Sequence, residues 1–117
     1  MQIGELSEAV GLSLRTIRHY DDVGLLPASR TEGGYRVYSE SDLRRMLAIR
    51  TLKPLGFSLE EMRGILDAID SAEADPDDDA ARDRLRGFTE QVAAKREQMA
   101  VNLERATNLV SQLRDLA

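Results

Sequence analysis

Within LRTIRHYDD, residues 14–22, Arg15, Arg18 and His19 carry hydrogen-bond donors on closely spaced positions, and within TEGGYRVY, residues 31–38, Arg36 and Tyr38 lie two apart after a double glycine. Lys53 adds a cation in KPLGF. Guanidinium, ammonium and phenol groups are donors, and none is a nucleophile at neutral pH without an activating base. Their chemistry is the holding of an oxygen-rich anion such as phosphate. Enzymatic chemistry finds no support, since no nucleophile, paired carboxylate or phosphate loop stands in a plausible arrangement. The chain has no cysteine and one histidine, so thiolate chemistry is excluded and His19 has no companions with which to hold a metal.

Those donors need elements to carry them. Ile3, Leu6 and Val10 recur at helical spacing, Gly11 interrupts, and Ser13 stands where an N-cap belongs before Leu14 and Ile17. The expectation is helix, tight turn, helix. At about 100° per residue the second helix sets Arg15, Arg18, His19 and Asp22 on one outward stripe and Leu14 with Ile17 on another. Gly24 ends it and Pro27 prevents its restart. The alternation after Gly33-Gly34 reads as a hairpin, a wing, whose turn needs positive φ and whose one face presents Arg36 and Tyr38 while Tyr35 and Val37 turn to the domain. Asp21 and Asp22 are expected to pair with nearby arginines. Ser39 with Asp42 and Ser58 with Glu61 have capping-box spacing, so two more helices follow, separated by a Lys53–Phe57 loop.

Charge divides unevenly along the 117 residues. The net charge is -5, yet residues 13–53 carry a local excess of three positive charges. The acid collects later, above all in DSAEADPDDD, residues 70–79, which reads as a linker. Asp75, Asp77, Asp78 and Asp79 lack the spacing of a calcium loop and are expected to be a solvated run favouring the next helix N-terminus, so no metal or other cofactor is predicted.

From residue 80 onward there is no proline. Leu85, Val92, Met99, Ala106 and Leu113 repeat every seven residues, with Phe88, Lys95, Asn102, Leu109 and Leu116 three further on, and Leu103 and Val110 widen the seam. A helix of that extent, on the order of 55 Å, is too long and one-sided for a small domain to bury, so it needs a partner helix. The N-terminus MQIGELSEAVG has neither a basic region nor an apolar core like those of export signals, and no segment is long and apolar enough to span a bilayer. The expected location is cytoplasmic, with no membrane partner.

IGELSEAVGLS, TIRHYDDVGLLPASR, GGYRVYSESDL and LGFSLEEM, in this order and spacing, resemble the DNA-binding domain of MerR-family transcription regulators. The resemblance covers residues 1 to about 70. It implies a mainly α fold: a winged helix-turn-helix domain of four helices and a two-stranded hairpin wing over residues 1–70, an acidic linker over 71–79, and a coiled-coil dimerisation helix over 80–117. It further implies a homodimer with antiparallel helices, bound to double-stranded promoter DNA and distorting it so that RNA polymerase engages both promoter elements. By position, Arg15, Thr16 and Arg18 would enter the major groove, and Tyr20, Arg30, Tyr35, Arg36 and Tyr38 would contact the backbone, with Lys53 as a further phosphate contact. His19 stands where the family commonly has another aromatic residue, leaving a groove-edge hydrogen bond or a solvated ring. Members that sense metals or oxidants use cysteines after the dimer helix and drug sensors carry a separate domain; neither is recognisable here, so no small-molecule effector is assigned. Two other readings share these features: an architectural or excisionase-like DNA-bending protein, and a coiled-coil protein-interaction adaptor.

Overall fold

The computed structural model describes residues 1–27 and 29–117. The elements run α1 (Ile3–Val10), α2 (Leu14–Asp22), β1 (Ser29–Arg30), β2 (Arg36–Val37), α3 (Glu40–Leu52), a 3₁₀ turn (Lys53–Leu55), α4 (Leu59–Ala74) and α5 (Asp79–Leu116). They fall into two compact units, residues 1–67 and 68–117.

Local chemistry sets most helix ends of the first unit. Gly11 takes φ +70 and closes α1, and the Ser13 hydroxyl accepts the Thr16 N–H at 3.1 Å to open α2. At α3 the capping box is reciprocal: Ser39 Oγ accepts from Asp42 N–H at 3.1 Å while Asp42 Oδ2 accepts from Ser39 N–H at 2.9 Å. Ser58 and Glu61 repeat it before α4, at 3.1 and 2.9 Å. Leu6, Val10, Ile17, Met46, Ile49, Phe57 and Met62 are buried together as the core of this unit. Leu14, expected to face inward, is instead exposed, because as the first residue of α2 it precedes the turn that packs.

The wing is short. Ser29 pairs with Val37 and Arg30 with Arg36, antiparallel, and beyond the pair Tyr38 N–H donates to the Met1 carbonyl at 2.7 Å. Its two glycines have different reasons. Gly34 takes φ +82 in the turn, whereas a Cβ on Gly33 would lie 3.3 Å from the Tyr35 ring, which folds over it.

The loop between α2 and β1 is held from far along the chain. Arg63 donates to the carbonyls of Val23 at 2.8 Å and Gly24 at 3.0 Å, and buried Arg45 donates through Nε to the Leu25 carbonyl at 2.8 Å. These contacts satisfy the carbonyls of the three residues that follow α2, while its own last carbonyls are taken by the N–H groups of Val23, Gly24 and Leu25.

The second unit differs from expectation at its start. Residues 71–79 are not all linker: α4 continues to Ala74, because Ser71–Ala74 contains nothing that breaks a helix until Pro76. A turn follows, with Asp75 Oδ1 accepting the Asp77 N–H at 3.0 Å, and Asp78 caps α5 by accepting from Ala81 N–H at 3.0 Å. The 38 residues of α5 extend roughly 57 Å at ~1.5 Å per residue. From Arg96 to Ala117 every residue is exposed, including Met99, Leu103, Leu109, Val110, Leu113 and Leu116. Leu85, Phe88 and Val92 are half-buried. No helix among the described residues is long and apolar enough to cross a membrane.

Candidate nucleic-acid interface

On α2, Arg15, Arg18 and His19 are exposed while Ile17 and Tyr20 are buried, so the helix separates a donor face from a packing face. Thr16 is half-buried at its first turn, its hydroxyl 2.9 Å from Ser13 Oγ. Tyr20, expected at the DNA backbone, is only 6% exposed; its ring lies 5.3 Å from that of His19 and packs as a core residue.

The wing reverses the expected orientation of its tyrosines. Arg36 and Tyr38 do share a side, but that side faces the end of α2. Asp21 Oδ2 accepts hydrogen bonds from both Arg36 Nη1 and the Tyr38 hydroxyl, the latter at 2.9 Å, and Tyr38 is 3% exposed. A partner 17 residues away in sequence thus decides which face turns inward. Tyr35, placed toward the domain by strict alternation, lies in the hairpin turn before β2 and is 72% exposed. Arg30 is exposed and donates to the Gly34 carbonyl at 3.0 Å, bracing the turn.

Arg36 therefore sits between two acids. Its Nη1 bonds Asp21 and lies 3.5 Å from Asp22 Oδ1. Burial pulls the guanidinium pKa down, but the charge and hydrogen bond of Asp21, with Asp22 and Tyr38, outweigh that and raise it. Burial likewise raises the Tyr38 pKa, helped by the hydrogen bond and charge of Asp21 and opposed by Arg36.

The folded state thus holds the phenolic proton more tightly than the unfolded chain. Stability from this bond is present in full below the ordinary tyrosine value of about 10 and is lost as pH rises through the higher folded value. Replacing Tyr38 by Phe should cost roughly 1.5–3 kcal/mol at pH 8, as for a hydrogen bond to a charged acceptor. Urea melts of wild type and Tyr38→Phe at pH 8 and pH 11 check this: the gap should narrow at the higher pH.

Two concavities collect the donors. One, of about 360 Å³, is lined by Arg18 and Asp22 of α2, by Tyr35, Arg36 and Tyr38 of the wing, and by Gln2 and Ile3. The other, of about 240 Å³, sets exposed Lys53 and Pro54 of the 3₁₀ turn beside Leu12, Thr16 and Tyr20. The structure thus brings Arg18 to Arg36, and Lys53 to the start of α2. Among the described residues no group of acidic and imidazole side chains is arranged to hold a metal. Sequence reading missed Arg45 and Arg63 as the residues that hold the end of α2; spacings of 20 and 39 residues leave no local signal.

A paired helix unit with an outward basic stripe, flanked by a wing, has counterparts among known proteins. A family model described as MerR HTH family regulatory protein matches residues 1–69, and a second, described as MerR, DNA binding, matches residues 43–116. The chain belongs to the MerR family. Its relatives include the nodulation protein NolA of Bradyrhizobium elkanii, 40% identical over 116 residues that make up 98% of this chain and 46% of the relative. The chain spans about half the length of the curated relatives it matches, or less, between 26% and 56% of those compared. A MerR-family regulator from Bacillus thuringiensis superposes with a TM-score of 0.80 at 26% identity, covering 100% of this chain and 98% of that one. HiNmlR, a MerR family regulator lacking the sensor domain, bound to promoter DNA, superposes with a TM-score of 0.73 at 28% identity, covering 92% and 78%. The MerR family and these two solved structures are described as regulators rather than enzymes, and the helix-turn-helix, wing and long final helix of this chain are the MerR arrangement.

Proposed function

We propose that this MerR-family chain is a homodimeric, sequence-specific transcription regulator that binds a two-fold promoter operator and distorts it. Residues 1–70 would read DNA and residues 80–117 would join the two copies. The observation that carries the reading is the concavity between α2 and the wing, where Arg18 and Arg36 converge from two elements onto one surface. Arg15, Thr16 and Arg18 would read base edges, where an arginine can grip guanine O6 and N7, and Arg30, Tyr35, Arg36 and Lys53 would hold phosphates. The promoter-bound state of HiNmlR supports promoter DNA as the ligand.

The exposed seam of α5 supports the second copy as partner. Its ten seam positions are symmetric about a point between Ala100 and Val101. In an antiparallel pair Leu85 meets the partner's Leu116, Phe88 the partner's Leu113 and Val92 the partner's Leu109, while Lys95 falls opposite a small Ala106 of the partner subunit. A parallel pair in register would instead stack Lys95 on its own copy. Because the chain has no cysteine, the direction can be read cleanly. A protein carrying both Leu85→Cys and Leu116→Cys should form covalent dimers on mild oxidation, whereas Leu85→Cys alone should not; covalent dimers from Leu85→Cys alone would mean parallel helices.

Footprinting of the purified protein on DNA upstream of its own gene tests the function. A two-fold protected site with altered transcription from that promoter is expected. Protection without any transcriptional effect would favour an architectural role, and no salt-sensitive DNA binding at all would favour a protein-interaction adaptor.

A further inference from the structure

An acidic side chain beside a phosphate-binding arginine is electrostatically adverse for binding DNA, yet Asp21 sits against Arg36 with a side chain only 10% exposed. It lies in the last turn of α2, and its Oδ2 receives two donors from the wing strand and its end, Arg36 Nη1 and the Tyr38 hydroxyl. Both acids approach Arg36 through Nη1. The Nε and Nη2 hydrogens make no hydrogen bond among the described residues, and the Arg36 side chain remains 32% exposed beside the concavity shared with Arg18. A guanidinium is a rigid planar fork, so fixing one nitrogen fixes the direction of the other two.

We propose that Asp21 is a positioning residue: it grips Arg36 by one nitrogen so that the opposite edge of the guanidinium is presented to a DNA phosphate. Through Tyr38 the same carboxylate ties the wing to the end of α2, so that base-reading helix and phosphate-holding wing meet the duplex as one surface. The rotamer freedom that Arg36 would lose on binding is already lost in the free protein. This rests on the DNA-binding reading above. The competing role for the same contacts is inhibitory, in which Asp21 competes with phosphate and must let go, and the two roles predict opposite signs.

The test compares wild type, Asp21→Asn, Arg36→Ala and the double variant on the duplex protected in the footprint, across roughly 50–200 mM salt. Arg36→Ala should make the slope of log K against log salt shallower by roughly 2 per dimer, at ~0.9 per lost phosphate contact. Asp21→Asn removes a negative charge but leaves an amide oxygen to accept from the Tyr38 hydroxyl; it should weaken binding about tenfold, and on the Arg36→Ala background it should weaken it no further. Binding by Asp21→Asn as tight as wild type or tighter, or losses that multiply in the double variant, would overturn the proposal. Should Asp21→Asn fail to fold by circular dichroism, Arg36→Lys decides. A lysine keeps the charge but cannot hold carboxylate and phosphate on opposite edges, so its affinity should lie within about threefold of Arg36→Ala. Wild-type affinity for Arg36→Lys would overturn the proposal. Absence of any wild-type footprint would instead defeat the DNA-binding reading itself.

Discussion

Leu109→Asp is expected to turn the protein into a monomer and to lower its affinity for a two-fold operator by roughly 10²- to 10⁴-fold, the gain that linking two binding modules supplies. Leu109 is 53% exposed on α5, and Leu113 and Leu116 beyond it are 55% and 77% exposed, so the free helix offers an apolar stripe to water. Burying each such side chain is worth roughly 1.5–3 kcal/mol when complete. Discounting for partial burial and chain entropy still leaves association favoured once several layers close together. A carboxylate at position 109 would have to enter that seam opposite Val92 of the other copy, and a buried unpaired charge there costs far more than the leucine contributed. Because Leu109 is exposed in the protomer, the variant should stay folded, and its loss of affinity would report dimerisation. Sedimentation and a binding titration check both halves. An intact wild-type chain sedimenting as a monomer at micromolar concentration, or a monomeric Leu109→Asp with full operator affinity, would defeat the prediction.

Arg18→Ala should relax sequence preference rather than abolish binding. Arg18 is exposed on the donor face of α2 and lines the same concavity as Arg36. A bidentate contact from an arginine to a guanine edge is worth ~1–3 kcal/mol of discrimination against the wrong base pair, so operator affinity should fall by that amount per half-site while affinity for random duplex changes little. This contrasts with Arg36→Ala, which should weaken all sequences alike. Competition titrations with operator and scrambled duplex at one salt concentration separate the two. If both affinities fall equally for Arg18→Ala, its contact is to phosphate and base reading lies elsewhere on α2.

The course of the chain was legible wherever structure is decided locally. Ser13, Ser39 with Asp42, and Ser58 with Glu61 begin helices because each side chain reaches backbone groups three residues away, and Gly11, Gly24 and Gly34 take positive φ because no other residue does so without strain. The apolar seam of α5 is likewise written in its period of seven. Tertiary structure alone decided which way the wing faces. Alternation places Arg36 and Tyr38 on one side, but a strand only two residues long has no inner or outer face until something packs on it, and that something is Asp21 of α2. Tyr38 consequently became a buried anchor and Tyr35 an exposed tip, the reverse of what parity suggested. Tyr20 went into the core for a similar reason, since helical periodicity ranks neighbouring faces only by the partners that cover them. Arg45 and Arg63 reach the carbonyls after α2 across 20 and about 40 residues, contacts that exist only once α3 and α4 have folded back over that loop.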